Sequence, residues 1–265
     1  MTTIEVPGAL RATGSHDRPA GMPSAGVVGR RARVVGVVGA RGGAGASTLA
    51  AALADRLAHA TATALVDLDT GSAGLDVLVG VERDPGLRWP DLHAARGEVD
   101  GADLLTLLPR WGRCAVLSAD RLRPAALPTD VVPDVLGALT TATGALVLDL
   151  GRADVLAGTA PSAVCDTILL VAPRDLRAVA GALAVSAALA GSAPGVDLRL
   201  VVRGPAPGGL GVAEVEEAVD LPLLCAVRED RRLATHLERA RVPRAGPLGR
   251  AAGRAARLVL DEVGR

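Results

Sequence analysis

The chain of 265 residues contains no phenylalanine and no tyrosine, and its aromatic content is the two tryptophans Trp89 and Trp111. It also lacks lysine, asparagine and glutamine, so every one of its 29 cationic side chains is an arginine. The missing residues are mostly those with AT-rich codons, which points to a GC-rich genome as the common cause. Without aromatics, the core must be built from Ala, Val and Leu, and the 49% hydrophobic content is enough for a substantial one. The three cysteines (Cys114, Cys165 and Cys225) are dispersed, odd in number and without a CxxC pair. They exclude a disulfide framework and read as buried thiols in a reducing compartment. Four scattered histidines offer no metal-ligand spacing. Met1 to Pro23 has no apolar core of the signal-peptide kind. The longest uncharged run, between Ala178 and Asp197, is interrupted by Ser and Pro194 and reads as a buried helix rather than a membrane span. The expected location is the cytoplasm.

The formal net charge of zero implies no global polyanion partner. The charge is unevenly spread, with nine arginines between Leu221 and Leu260 against Glu229, Asp230 and Glu238. Between Asp67 and Asp103 the balance is acidic. Such asymmetry marks either two partner surfaces or two solvated faces.

Residues 1–32 are rich in Gly, Pro, Ser and Arg without periodicity and read as a disordered leader, followed by one domain over 33–265. Within it, short β-branched runs alternate with Ala/Leu helical patterns. Strands are predicted at Arg33–Val38, Thr63–Asp67, Arg113–Ser118, Ala145–Asp149, Thr167–Ala172, Leu198–Val202 and Leu223–Val227. Continuous apolar runs suit strands covered on both faces. The predicted fold class is therefore α/β, a doubly wound, mostly parallel sheet with helices on both faces.

The most informative segment is Val34-Val35-Gly36-Val37-Val38-Gly39-Ala40-Arg41-Gly42-Gly43-Ala44-Gly45-Ala46-Ser47-Thr48. A strand feeds a glycine cluster, then Ser-Thr, then a helical run, the context that makes a glycine-rich string a phosphate site. Glycines let backbone N–H groups face an anion, and the helix N-terminus adds partial positive charge. A lysine normally precedes the final Ser/Thr of such loops, and here that position is Ala46. Asp67, Asp69 and Asp149 fall at the predicted carboxyl ends of strands, where ligands of parallel sheets bind.

Together with Ala64-Leu-Val-Asp67-Leu-Asp69, Gly144-Ala-Leu-Val-Leu-Asp149-Leu-Gly and Cys165-Asp166-Thr-Ile-Leu-Leu-Val-Ala-Pro173, this loop resembles the MinD/ParA family of ATPases, whose loop reads K-G-G-x-G-K-[ST]-[ST]. The resemblance runs from about Arg33 to Val263. It implies ATP and Mg²⁺ as ligands, with Gly42, Gly43, Ala44, Gly45, Ala46, Ser47 and Thr48 forming the nucleotide cradle. It makes Ser47, Asp149 and Asp69 the magnesium-side residues. Asp69 corresponds to the carboxylate that positions water, and Arg41 to the lysine that reaches across a nucleotide-sandwich dimer. Arg203 stands where the family commonly has an adenine-reading Asn, and it has donors but no acceptor. The loss of both loop lysines is most similar to the CpaE/TadZ branch, which includes the actinobacterial septum-site-determining protein Ssd. That branch implies a homodimeric positioning factor, weak or inactive as an ATPase, at a pole or septum. Its partners would be pilus/secretion ATPases or division proteins. The other reading is a working ATP switch in which Arg41 replaces the missing lysine. The Arg-rich C-terminal helix, over Gly246–Leu260, reads as a core-packing element with at most weak membrane-surface association, and DNA binding is disfavoured.

Overall fold

The computed structural model describes residues 31–69, 74–93, 100–124, 126–127 and 130–261. The predicted leader, save its last two residues, lies outside the described residues. One eight-stranded sheet carries β1 (Arg33–Gly39), β2 (Thr63–Leu68), β3 (Arg110–Trp111), β4 (Cys114–Leu117), β5 (Ala145–Leu150), β6 (Thr167–Pro173), β7 (Asp197–Arg203) and β8 (Leu223–Val227). Their order is β3-β4-β2-β5-β1-β6-β7-β8, and all neighbours are parallel except the β3–β4 pair.

Nine helices connect these strands among the described residues: α1 (Ala46–Leu57), α2 (Leu75–Val79), α3 (Gly101–Leu107), α4 (Val132–Ala142), α5 (Arg152–Ala157), α6 (Leu176–Ser192), α7 (Val212–Val219), α8 (Leu233–Leu237) and α9 (Gly246–Asp261). They divide between two cores. Val34, Val38, Val66, Leu148 and Leu170 point to one face, where they meet Val135 and Leu139 of α4, Ala182 and Val185 of α6, and Val215 of α7. Val35, Val37, Leu65 and Val147 point to the other, against Leu53 and Leu57 of α1, Val79 of α2, and Ala252 and Ala255 of α9. Both parities of each central strand are apolar because both faces are covered. Small side chains let the layers approach closely. A β-carbon on Gly36 would lie 2.8 Å from Leu150 Cδ1, and one on Gly181 of α6 would lie 2.0 Å from the Ala40 carbonyl oxygen.

The parity also fixes the chemistry. Asp67 pairs in register with Asp149, and Asp149 with Val37. Leu65 and Val147, two residues earlier on their strands, lie in the α1-side core. Side chains two apart share a face, so Asp67 and Asp149 point toward α1 at the sheet's carboxyl edge.

The predicted strands match the observed ones within about two residues. The exception is the short antiparallel β3, which the sequence reading missed. The run after Ala178 is helix α6, but it is buried along one stripe rather than all round: Ala178, Gly181, Ala182, Val185 and Leu189 are inside while Leu176 and Leu183 are exposed. All three cysteines are free and buried, and burial pushes the Cys114 and Cys165 thiols up to about 12. The Gly246 helix packs on α1 and β8 through Leu248, Ala251, Ala252, Ala255, Ala256 and Val259. No helix among the described residues is long and apolar enough to cross a membrane.

Among the described residues neither charge-biased stretch lies wholly on one solvated face. Asp67 and Asp76 of the acidic stretch are buried, and part of that stretch, 94–99, lies outside the described residues. Asp76 is paired at 3.7 Å with Arg88, itself only 5% exposed, whose Nη2 also donates to the Val81 carbonyl at 2.8 Å. The basic stretch splits in two. Arg228 and Arg231 line the main cavity, whereas Arg250, Arg254 and Arg257 line a separate concavity beside Arg56.

Candidate nucleotide site

The loop between β1 and α1 closes on itself. The Ala44 N–H donates to the Arg41 carbonyl at 3.2 Å, and Gly43 and Gly45 hold positive φ of 70° and 94°. Residues with a β-carbon rarely adopt such angles. β-Carbons added at Gly42 or Gly43 would meet nothing within 4 Å, so the space over the loop is open to a ligand. Ala44 is buried beneath it, and Ala46, Ser47 and Thr48 form the first turn of α1. That turn has no side-chain cap on its free N–H groups and no acidic residue, which leaves it electropositive.

The cavity over this loop measures about 760 Å³, a size typical of small-molecule sites. It brings together Arg41, Gly42, Gly43, Ala44, Gly45, Ala46, Ser47, Thr48, Asp69, Asp149 and Arg203, all foreseen from sequence. It also includes Arg152, which was not foreseen. Its lining also holds apolar residues, Leu233, Ala234 and Leu237 of α8 together with Pro247 and Leu248.

The acidic side is tightly arranged. The Ser47 hydroxyl bonds to the Asp149 carboxyl, while Asp149 Oδ2 is buried with no partner. Burial pushes Asp149 up to about 8; the Ser47 bond opposes the shift, and the nearby Asp67 and Asp69 charges add to it. Asp67 is pushed up to about 6, again mainly by burial, against the pull of backbone N–H groups from Leu75 (3.0 Å) and Asp69 (3.1 Å). The Trp89 indole N–H donates to the Asp67 carbonyl at 2.6 Å and fixes the end of β2. Among the described residues no three Asp, Glu, His or Cys side chains converge as a ready-made metal cage. But a buried carboxylate oxygen lacking a donor, beside a hydroxyl, is chemistry a hard divalent cation shared with phosphate can use. On that ground Ser47 and Asp149 are the residues that would hold Mg²⁺, with Asp69 lining the same cavity.

The cations are less conventional. Arg41 is held by Asp175, its Nη2 at 2.8 Å and Nε at 3.1 Å from Asp175 Oδ2, and its Nη1 donates to the Gly42 carbonyl. This pairing holds the Asp175 carboxyl below the usual range. Arg203, at the end of β7, folds back so that Nη1 donates to the Ala44 carbonyl at 3.1 Å and the Gly43 carbonyl at 3.4 Å. Its guanidinium therefore braces the loop's carbonyls at the wall of the cavity. Arg152 approaches from the segment after β5, with Nε 2.9 Å from the Ala40 carbonyl. Nothing in the local sequence flags Arg152; only the placement of β5 beside β1 brings it to the loop.

Solved structures with this fold are numerous. MinD of Pyrococcus horikoshii in complex with Mg-ADP superposes with a TM-score of 0.72 at 18% identity, over 88% of this chain and 98% of that one. The cell division ATPase MinD of Pyrococcus furiosus gives 0.71 at 19% identity, over 87% and 99%. The fold is that of the MinD/ParA ATPases. A ParA family ATPase of Chlorobium tepidum gives 0.66 at 16% identity, over 89% and 98%. By sequence, the chain is 43% identical over 205 residues to an uncharacterized protein of Mycobacterium tuberculosis, found in strains CDC 1551 and H37Rv. That match covers 77% of this chain but 57% of the relative, so the chain spans little more than half the length of the protein it matches. No protein-family model matches the chain.

Proposed function

We propose that this chain is a nucleotide-binding positioning protein of the MinD/CpaE kind, which binds ATP with Mg²⁺ and hydrolyses it slowly or not at all. One observation carries the reading: the glycine cradle, Ser47 and the buried Asp149 oxygen stand together around a cavity of nucleotide size, while position 46 offers only a methyl group. Backbone amides and a metal site suffice to hold a polyphosphate. Fast hydrolysis also needs cations that stabilise the charge developing on the transferred phosphoryl group, and removing one costs on the order of 10³–10⁵ in rate. Magnesium, when bound, supplies charge neutralisation between phosphates. Ser47, hydrogen-bonded to Asp149, would hold it from the start of α1, and Asp69 is the carboxylate that would position the attacking water.

Such a protein acts by lasting in one nucleotide state. Its partners under this reading are a second copy of the chain and a septum-site or pilus/secretion machine, to which it is recruited at a pole or septum. Arg41 is the candidate for contact across the dimer, and to reach a partner it must leave Asp175. The second reading, an active switch that uses Arg41 in place of the missing lysine, has to overcome that same pairing.

Calorimetric titration with ATP and Mg²⁺, alongside phosphate release under the same conditions, tests the reading. Saturable micromolar binding with turnover near background supports it. Absence of binding up to millimolar ATP, or turnover of several per minute, overturns it.

A further inference from the structure

We propose that Arg152 supplies, from within the same chain, the phosphate-facing positive charge that position 46 lacks. The proposal rests on the nucleotide reading above and assigns the polyphosphate of a nucleoside triphosphate as what Arg152 contacts. Three arginines touch the loop, and their electrostatic states differ. Arg41 is neutralised by Asp175 at 2.8 Å. Arg203 spends Nη1 and Nε on the carbonyls of Gly43, Ala44 and Gly204. Arg152 is half-buried and makes no ion pair among the described residues. Its only side-chain hydrogen bond among the described residues is from Nε to the Ala40 carbonyl, so there both Nη groups remain uncommitted beside the cavity.

Location makes this significant. A β-carbon on Gly39 would lie 3.8 Å from Ala46 Cβ, so Ala46 packs beside the residue immediately preceding Ala40. The Ala40 carbonyl that Arg152 Nε holds faces Gly181 of α6, so the guanidinium reaches the loop from the α6 side, and Arg152 and Ala46 line the same cavity. The two remaining Nη groups of a planar guanidinium match two phosphate oxygens, a geometry an ammonium lacks. Arg152 also lies three residues beyond Asp149, whose unpartnered Oδ2 is the independent sign that a charged ligand belongs here. Loop, acid and arginine are fixed together by the parallel pairing of β1 with β5. A guanidinium held by one carbonyl, with no carboxylate to leave, can turn to phosphate without breaking an ion pair.

The test is calorimetry with Mg²⁺ and either ATP or ADP on four proteins: wild type, Arg152→Ala, Arg203→Ala, and Arg152→Ala combined with Ala46→Lys. Expected for Arg152→Ala is a loss of roughly ten- to hundredfold in ATP affinity, the scale of one charge-assisted hydrogen bond. The loss for ADP should be smaller, and the double variant should recover at least tenfold for ATP. That recovery also shows that the variant chain is folded. The proposal is overturned if Arg152→Ala binds ATP within twofold of wild type. It is equally overturned if ATP and ADP weaken alike without recovery, which marks a structural role, or if only Arg203→Ala shows the loss. Wild type that binds neither nucleotide overturns the nucleotide reading itself, an outcome visible before any variant is examined.

Discussion

Ser47 and Asp149 share a hydrogen bond at the foot of α1, and the Asp149 Oδ2 beside it is shut away from water with nothing to accept from. The unliganded protein therefore carries a buried acid whose charged form is costly. The Asp149 carboxyl titrates near 8 when folded, against 3.8 in the reference state. Between those values the folded state binds more protons than the unfolded one, so this group's contribution to stability is full below about pH 4 and lost as pH rises through 8. Asp67 adds the same sign up to about pH 6. Asp149→Asn should then raise the unfolding free energy at pH 8.5 by on the order of 2–4 kcal/mol and flatten the slope between pH 5 and 8.5. Urea titrations without magnesium or nucleotide measure both. A wild-type stability that climbs over this range contradicts the assignment.

Trp89 is 2% exposed and donates its indole N–H to the Asp67 carbonyl. Phenylalanine cannot donate, and it is smaller. Trp89→Phe should cost about 1.5–3 kcal/mol, combining an unsatisfied buried carbonyl with a partial cavity. Equilibrium unfolding followed by far-UV circular dichroism provides the number, and a loss under 0.5 kcal/mol would show that the bond contributes little.

Two glycines of the same helix should respond oppositely to alanine. At Gly181 the new methyl would meet the Ala40 oxygen at 2.0 Å, and Ala40 is itself pinned by its N–H to the Val171 carbonyl at 2.9 Å. Overpacking of about 1–3 kcal/mol then outweighs the gain of up to about 1 kcal/mol in helix propensity. At Gly191 nothing lies within 4 Å, and Gly191→Ala should stabilise by a few tenths to about 1 kcal/mol. Thermal unfolding of the pair decides the point.

Asp175 accepts from the Ala178 N–H with Oδ1 at 2.9 Å and from Arg41 with Oδ2. Arg41 is 39% exposed, so Arg41→Ala should cost about 0–1 kcal/mol. Asp175→Ala also removes the helix cap and should cost about 1 kcal/mol more. Equal losses in denaturant titrations would mean that the cap contributes nothing.

The strands were legible in the sequence because a parallel sheet covered on both faces leaves near-continuous apolar runs, as in Ala145–Leu150 and Thr167–Pro173. β3 was not, since two residues, Arg110 and Trp111, carry no period. The cradle and its acids were legible because each sits at the end of such a run. The arginines were harder to place. Arg203 was assigned to the base-reading position by its place on β7, yet its guanidinium lies against the loop's carbonyls. Arg152 depends on strand order, a long-range property that local pattern does not encode. Charge runs misled for a similar reason: Asp67 and Asp76 count toward an acidic stretch but are sequestered in the interior.

The absence of Phe and Tyr has an optical consequence. With Trp89 bonded to the main chain of Asp67 and Trp111 on the distant edge strand β3, the protein's ultraviolet emission comes from two indoles in unlike settings. One is buried and bonded to the strand end two residues before Asp69, which lines the cavity, and the other is at the sheet's edge. A change in the setting of Asp67 alters the first indole directly, so emission follows that end of β2 without an added dye.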